Sequence, residues 1–385
     1  MTPQPRSGRR RKNTLVAAVG LVAAGSILAA VGSTSAYAAS ANSAYLAADL
    51  KAPAGTLQAA GSTFVQPFFT SAFYAYTGKN SGLQINYQGV GSGQGISSFQ
   101  AGTVNFAASD VPMTASDLAK VPASSGPVVQ VPDTLGGVSI SYNLPGVTKQ
   151  LKLNSATLVG IFEGNITTWN NPAIKATNPG VALPAKTIVP EVRADSSGTT
   201  YIFTDYLNSS GGTGATAWTL GTNKTIAWPA SAVQSPHNTG VAASIKSTPY
   251  SIGYVELAYA IQNKFTYAAI KNAAGVYVTP SLKSVAADAS SKTGLSPTDF
   301  SIVNGPGKGS YPISGYSWAI LLQKQTNATV GAGVVKVLDW TTHTGGGQSL
   351  AASLDYVPLP AAVQQQVRTA LLTVKGSNGK ALLTK

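Results

Sequence analysis

The chain has 385 residues, with 26 Lys and Arg against 13 Asp and Glu, a formal net charge of +13, two His and no Cys. The absence of cysteine excludes a disulfide scaffold, thiolate metal sites and cysteine catalysis. The basic residues are scattered, with no Lys/Arg cluster interleaved with aromatics, which argues against nucleic-acid binding.

At the start of the chain, Arg6, Arg9, Arg10, Arg11 and Lys12 precede an uncharged run from Leu15 to Val31, and Ala36-Tyr-Ala38 follows as a small-x-small cleavage site. The pattern predicts a signal peptide over residues 1–38. The alternative is a membrane anchor, but the run is short and contains glycine for a span of about 20 residues. Both general and twin-arginine export remain open. The leader holds five basic and no acidic residues, so the remainder carries +8. Such a surface raises encounter rates with anions. With no cysteine to carry a lipid, the mature chain is expected to be secreted or periplasmic and untethered. Residues 39–54 are Ala/Ser-rich and are expected to form a flexible lead-in.

About 330 residues follow, more than one core usually holds, so two lobes are expected. Strand-like and helix-like segments alternate, which points to α/β architecture. Leu57 to Phe64 reads as an extended stretch leading into an aromatic helix through Phe68, Phe69, Phe73 and Tyr76. Leu83 to Val90 is an alternating strand that ends in Gly91-Ser-Gly-Gln-Gly95. Val104 to Asp110 is another strand, and Thr114 to Asp117 forms a helix cap. This repeated plan places turns and helix N-termini at the carboxyl ends of strands, where open α/β sheets bind ligands.

Val192-Arg-Ala-Asp-Ser-Ser-Gly-Thr-Thr200 is the most informative stretch. Beyond the leader there are 19 Lys but only two Arg, Arg193 and Arg368. A guanidinium holds two oxygens of a tetrahedral oxyanion at once, which lysine does poorly. Apolar spacing through Leu207 predicts a helix, and Ser197, Gly198 and Thr199 would lie at its N-terminus, where free N–H groups favour an anion. Further on come a polar insertion (Ser209 to Ala227), a Gly/Pro/Lys crossover (Gly305 to Pro312), a buried strand within Tyr311 to Leu322 and a helix from Ala361 to Leu372.

Taken singly, these signals keep plainer readings. The glycine run at Gly89 to Gly95 could be a tight turn, and it matches neither the dinucleotide fingerprint nor a P-loop. Asp110 could be a helix cap, and Arg193 with Asp195 a structural ion pair on one face of an extended segment. His237 and His343 stand in no triad motif, and no Gly-x-Ser-x-Gly elbow occurs. No catalytic residue, metal site or cofactor is expected.

In order, Gly61-Ser-Thr-Phe64, Tyr87-Gln-Gly-Val-Gly-Ser-Gly93, Phe106-Ala-Ala-Ser-Asp-Val-Pro112 and Arg193-Ala-Asp-Ser-Ser-Gly-Thr-Thr200 resemble the phosphate-binding proteins of bacterial high-affinity phosphate ABC transporters. Thr168-Trp-Asn170, Ile252-Gly-Tyr-Val-Glu256 and Leu354-Asp-Tyr-Val-Pro-Leu-Pro360 extend the likeness to the C-terminus. The resemblance implies an α/β two-lobed periplasmic-binding-protein fold of the type II, Venus-flytrap kind, with two interlobe crossovers. Residues 55–134 and 306–385 would form lobe I and residues 135–305 lobe II. It implies a phosphate site of Thr63, Phe64, Ser92, Asp110, Arg193, Ser197, Gly198 and Thr199, with Asp195 orienting Arg193 and Asp110 accepting the ligand's proton. The implied partners are inorganic phosphate and the permease and ATPase of an ABC transporter, served by a monomer. The chain departs from the family at Pro236-His-Asn-Thr-Gly240, which lacks the acidic residue common before its glycine; this segment is expected outside the phosphate contacts. A sulfate or other oxyanion carrier is the alternative within binding proteins, and Asp110 argues against it. A secreted phosphatase is the alternative in a different class.

Overall fold

The computed structural model describes residues 51–384. The leader assigned to residues 1–38 lies outside the described residues, as do residues 39–50 of the lead-in. The last lead-in residues are tied down, because Ala52 N donates to Asn80 Oδ1 at 2.9 Å.

The strands are β1 (Gly55–Gly61), β2 (Leu83–Gly89), β3 (Phe106–Ser109), β4 (Val128–Asn143), β5 (Lys152–Leu153), β6 (Val189–Arg193), β7 (Val233–Ser235), β8 (Ser251–Glu256), β9 (Thr266–Tyr267), β10 (Ala269–Lys271), β11 (Tyr277–Val278), β12 (Ser314–Leu322), β13 (Lys324–Gln325) and β14 (Lys375–Gly376). The main sheet runs β2-β1-β3-β12-β4-β8-β6-β7, with β9 also on β4. β4 is the shared strand. Its residues 128–137 pair with β12, and residues 138–143 pair with β8. The fold is a two-lobed α/β clamshell, crossed by the chain along β4 and again in the segment that leads into β12.

Within each half the strands that matter most are parallel. β1 pairs with β2 and β3, and β6 pairs with β7 and β8. Parallel strands need helices on their faces, so both faces become buried. Helix Gln66–Lys79 covers the first half with Phe68, Phe69, Ala72, Phe73 and Tyr76, and a proline in its first turn suits its start. Helix Gly198–Ser209 covers the second half with Ile202, Phe203, Tyr206 and Leu207. The aromatic helix, the Thr114–Asp117 capping box and the helix Ala361–Leu371 occur where the spacing predicts them. The strand expected within Tyr311 to Leu322 begins at Ser314. The polar insertion contains only one 3-10 turn, Gly214–Thr216.

Phe69 is the centre of the first lobe's aromatic packing. Its ring lies 4.6 Å from that of Phe73 and 5.1 Å from that of Tyr87, the latter edge-on. Truncating it leaves a void that neighbouring rings cannot fill. We expect Phe69→Ala to cost about 3–5 kcal/mol of unfolding free energy, read from urea denaturation. A loss below about 1 kcal/mol would show that the packing there is adaptable.

Candidate functional site

Every residue singled out from the sequence as a binding group follows the carboxyl end of a strand. Ser62 to Phe64 follow β1, Ser92 follows β2, Asp110 follows β3, and the Arg193 to Thr199 stretch ends β6 and opens the next helix. Thr63, Phe64, Ser92, Asp110, Arg193, Ser197, Gly198 and Thr199 are all buried.

The turn after β1 is held by tyrosines. The carbonyl of Ser62 accepts from Tyr87 OH at 2.7 Å, that of Thr63 from Tyr259 OH at 2.7 Å, and that of Phe64 from Tyr356 OH at 2.6 Å. In a trans peptide the N–H points opposite to its carbonyl. Anchoring three successive carbonyls therefore turns the amides of Thr63, Phe64 and Val65 the other way. Ser62 Oγ donates to Asp110 Oδ1 at 2.5 Å and accepts from Phe64 N at 3.0 Å. Burial raises the Tyr87, Tyr259 and Tyr356 phenols above their ordinary range, which keeps them neutral donors.

The second lobe supplies the guanidinium. Arg193 Nε donates to Asp195 Oδ1 at 2.8 Å and Nη2 to Oδ2 at 2.5 Å, while Nη1 reaches Thr199 Oγ1 at 3.3 Å. Three of about five N–H groups are so used, and the remainder lie on Nη1 and Nη2. Burial works to raise the Asp195 carboxyl, but the hydrogen bonds and charge of Arg193 hold it below its usual value. Ser197 caps the helix, its Oγ accepting from Thr200 N at 3.1 Å. Thr200 Oγ1 in turn bonds Tyr254 OH at 2.7 Å, and that phenol also accepts from Arg193 N at 3.2 Å.

The two halves meet at glycines. A Cβ on Gly198 would fall 2.3 Å from Asp110 Oδ2 and 2.5 Å from Ser92 Oγ. The N-terminus of the second-lobe helix thus faces the carboxyl of the first lobe. The glycine run that follows β2 behaves alike. The helix begins at Ser92, Gly93 N donates to Ser196 O at 2.9 Å, and a Cβ on Gly91 would fall 2.3 Å from Asp195 Oδ2. These glycines are sites of close approach rather than a nucleotide loop.

Asp110 is the acceptor at the centre. It takes Ser62 on Oδ1 and Ser92 Oγ on Oδ2 at 3.3 Å. Burial raises it to about 6, with Ser62, Ser317, Arg193 and Ser92 opposing that rise. Above that pH it is ionised.

The Pro236-His-Asn-Thr-Gly240 segment bonds to side chains of the cluster. His237 N donates to Asp195 Oδ1 at 2.9 Å, and Asn238 Nδ2 donates to Thr63 Oγ1 at 3.0 Å and Thr199 Oγ1 at 3.2 Å. Glu256 N anchors the Asn238 amide oxygen at 3.1 Å. This segment follows the carboxyl end of β7, so the rule that located the other loops also applies to it. Ser62 and the three tyrosines were likewise not singled out. Among the described residues no group of three or more His, Asp or Glu is placed to hold a metal ion, and no helix is long and apolar enough to cross a membrane.

A family model described as a PBP superfamily domain matches residues 47–344. The phosphate-binding protein PstS of Pasteurella multocida is 38% identical over 339 residues, covering 86% of this chain and 95% of that protein. PstS of Haemophilus influenzae is 35% identical over 323 residues, covering 83% and 93%. A solved high-affinity periplasmic phosphate-binding protein bound with phosphate matches the fold with a TM-score of 0.68 at 24% identity, covering 84% of this chain and 95% of its own. With sequence likeness along most of its length and a shared fold, the chain belongs to the PstS phosphate-binding proteins of the PBP superfamily.

Proposed function

We propose that this chain is an extracytoplasmic solute-binding protein that captures inorganic phosphate between its lobes and delivers it to an ABC permease and its ATPase. The observation that carries the reading is Asp110, a buried carboxyl facing Gly198 at a helix N-terminus and set near Arg193. Donors alone suit any oxyanion. A central acceptor suits one that still carries a proton, as phosphate does and fully ionised sulfate does not. The names of the relatives support the same ligand.

In this reading Thr63 and Phe64 donate from the first turn and Ser92 from the next. Arg193 holds two phosphate oxygens and is oriented by Asp195. Ser197, Gly198 and Thr199 donate from the second lobe, and Asp110 receives the proton. Lobe I comprises residues 55–134 and 306–385 and lobe II residues 135–305. The change of β4 partner between Gly137 and Val138 supports a boundary close to this one. The leader directs export, and the chain acts as a monomer. Tight 1:1 phosphate binding without turnover of a chromogenic phosphate ester supports transport; turnover would support the phosphatase alternative.

Two substitutions test the assignment. Arg193→Met keeps much of the volume but leaves phosphate oxygens without their charged partner. A loss of about 3–5 kcal/mol, roughly three orders of magnitude in Kd, is expected by calorimetry. Wild-type affinity in that variant would refute the role of Arg193.

Asp110 sets selectivity and the acid limb. Because its carboxyl is raised to about 6, phosphate affinity should weaken as pH falls through that value, where the acceptor becomes protonated. A site built around a ligand's hydrogen rejects an analogue without it by about 10⁴–10⁵-fold. Asp110→Asn removes the repulsion toward sulfate, so sulfate should gain relative to phosphate and the acid limb should flatten. Unchanged selectivity would show that another group reads the proton.

A further inference from the structure

Asp133 is a second buried carboxyl behind the cluster, and none of the proposed contacts uses it. It lies on β4 where the register against β12 shifts. Ser317 pairs with Thr134 and Trp318 with Pro132, so Asp133 is the extra residue with no partner on β12. Such a bulge re-aims a side chain out of the regular alternation, and bulges gather beside functional sites. The Asp133 side chain is fully buried, and neither of its carboxyl oxygens has a hydrogen-bond partner. On the other edge of β12, Trp318 pairs with Ser109. One more antiparallel step sets Ser317 beside Asp110. Asp110, Ser317 and Asp133 thus form a row across three neighbouring strands. The Ser317 hydroxyl is near enough to both carboxyls to favour their ionised forms, without a full hydrogen bond to either.

We infer that Asp133 is a positioning residue for phosphate recognition, staying protonated behind Asp110 and, through Ser317, keeping Asp110 ionised with its lone pairs turned toward the ligand's proton. This rests on the phosphate reading above. Two neighbouring carboxyls in a dry site cannot both keep their charge. Asp110 has Ser62, Ser92 and Arg193 to support ionisation, whereas Asp133 has only the Ser317 hydroxyl and the Thr134 N–H nearby and no cation, so the shared proton resides on Asp133. Burial first, and then the charge of Asp110, push Asp133 well above the ordinary carboxylate range.

The consequence is an alkaline limb. Once Asp133 ionises, a second negative charge stands behind Asp110 and opposes an incoming anion. The Asp133 carboxyl is therefore more basic with phosphate bound than without it. Binding then takes up a proton on the alkaline side, and affinity falls as pH rises. The other groups around the pair are Arg193, which faces Asp110 from β6, and the Tyr87, Tyr259 and Tyr356 phenols, which burial keeps neutral. Glu256 is pushed up by burial and held by Ala258 N and Tyr356 OH. Any contribution from Glu256 persists in Asp133 variants.

The test is calorimetric titration of inorganic phosphate into the ligand-stripped mature chain from about pH 7 to pH 10, in buffers of different ionisation enthalpy so that proton uptake is read directly. Wild type should take up part of a proton per phosphate at the alkaline end. Asp133→Leu should lose about tenfold or more in affinity at neutral pH. Asp133→Asn, which keeps a donor but cannot ionise, should recover most of that loss and show a flatter alkaline limb with less proton uptake. Should the Asp133 variants fail to fold by circular dichroism, the wild-type uptake and Ser317→Ala decide, the latter being expected to weaken phosphate about tenfold. An Asp133→Asn alkaline limb identical to wild type overturns the inference. So does wild type without proton uptake, or Ser317→Ala with wild-type affinity. A folded wild type that binds no phosphate at any pH sinks the phosphate reading as well, whereas phosphate binding with unchanged alkaline limbs sinks only the role of Asp133.

Discussion

Three tyrosine hydroxyls hold the turn after β1, and the geometry of the cleft follows from them. Tyr87, Tyr259 and Tyr356 take the carbonyls of Ser62, Thr63 and Phe64. Without them these carbonyls would compete for the space that the amides now face. Carbonyl oxygens lining an anion cleft would repel the ligand they surround. The tyrosines come from β2, from the helix Leu257–Gln262 and from the segment before helix Ala361–Leu371, so the turn is fixed only when distant parts of the chain are folded together. Tyr259 belongs to the half built on β8, which couples the turn to the approach of the lobes.

Formal charge does little of the work in this cleft. Arg193 contributes one positive charge, but Asp195 and Asp110 each oppose it. A buried dianion in such a place cannot be held by net charge. It must be held by N–H and O–H dipoles, which satisfy oxygens without leaving a surplus charge buried when the cleft is empty. The helix N-terminus at Gly198 and the turned amide at Thr63 are groups of that kind. In the proposed reading, Asp110 as an ionised acceptor would make the proton of the ligand part of its binding.

Several contacts join the two halves directly. Gly93 N meets Ser196 O, and Asn238 bridges Thr63 to Thr199. Lys224 lies 3.7 Å from Asp117. The last is an ion pair near the surface and is worth little by itself. Its residue matters more through the backbone, since Lys224 O accepts from Ser197 N at 2.8 Å and so supports the helix cap. β4 is continuous through both halves, which suits a hinge that bends without separating the sheets.

The sequence by itself determined the local elements and most of the candidate cluster. Phe68, Phe69, Phe73 and Tyr76 at helical spacing, the Thr114–Asp117 box and the scarcity of arginine around Arg193 are signals read within a few residues, because propensity, capping and hydrophobic period are short-range effects. Arg193 and Asp195, two residues apart at a strand end, could be paired from that spacing alone. Ser62 was legible in principle, standing beside Thr63 in Gly61-Ser-Thr-Phe64. Tertiary structure alone decided which carbonyls the tyrosines would hold, that Asn238 would join Thr63 to Thr199, and that Asp133 would stand behind Asp110. Those contacts join residues 25 to 292 positions apart or depend on a one-residue register shift between β4 and β12. No local pattern encodes such a shift, because register is set by how whole strands pack once the sheet has formed.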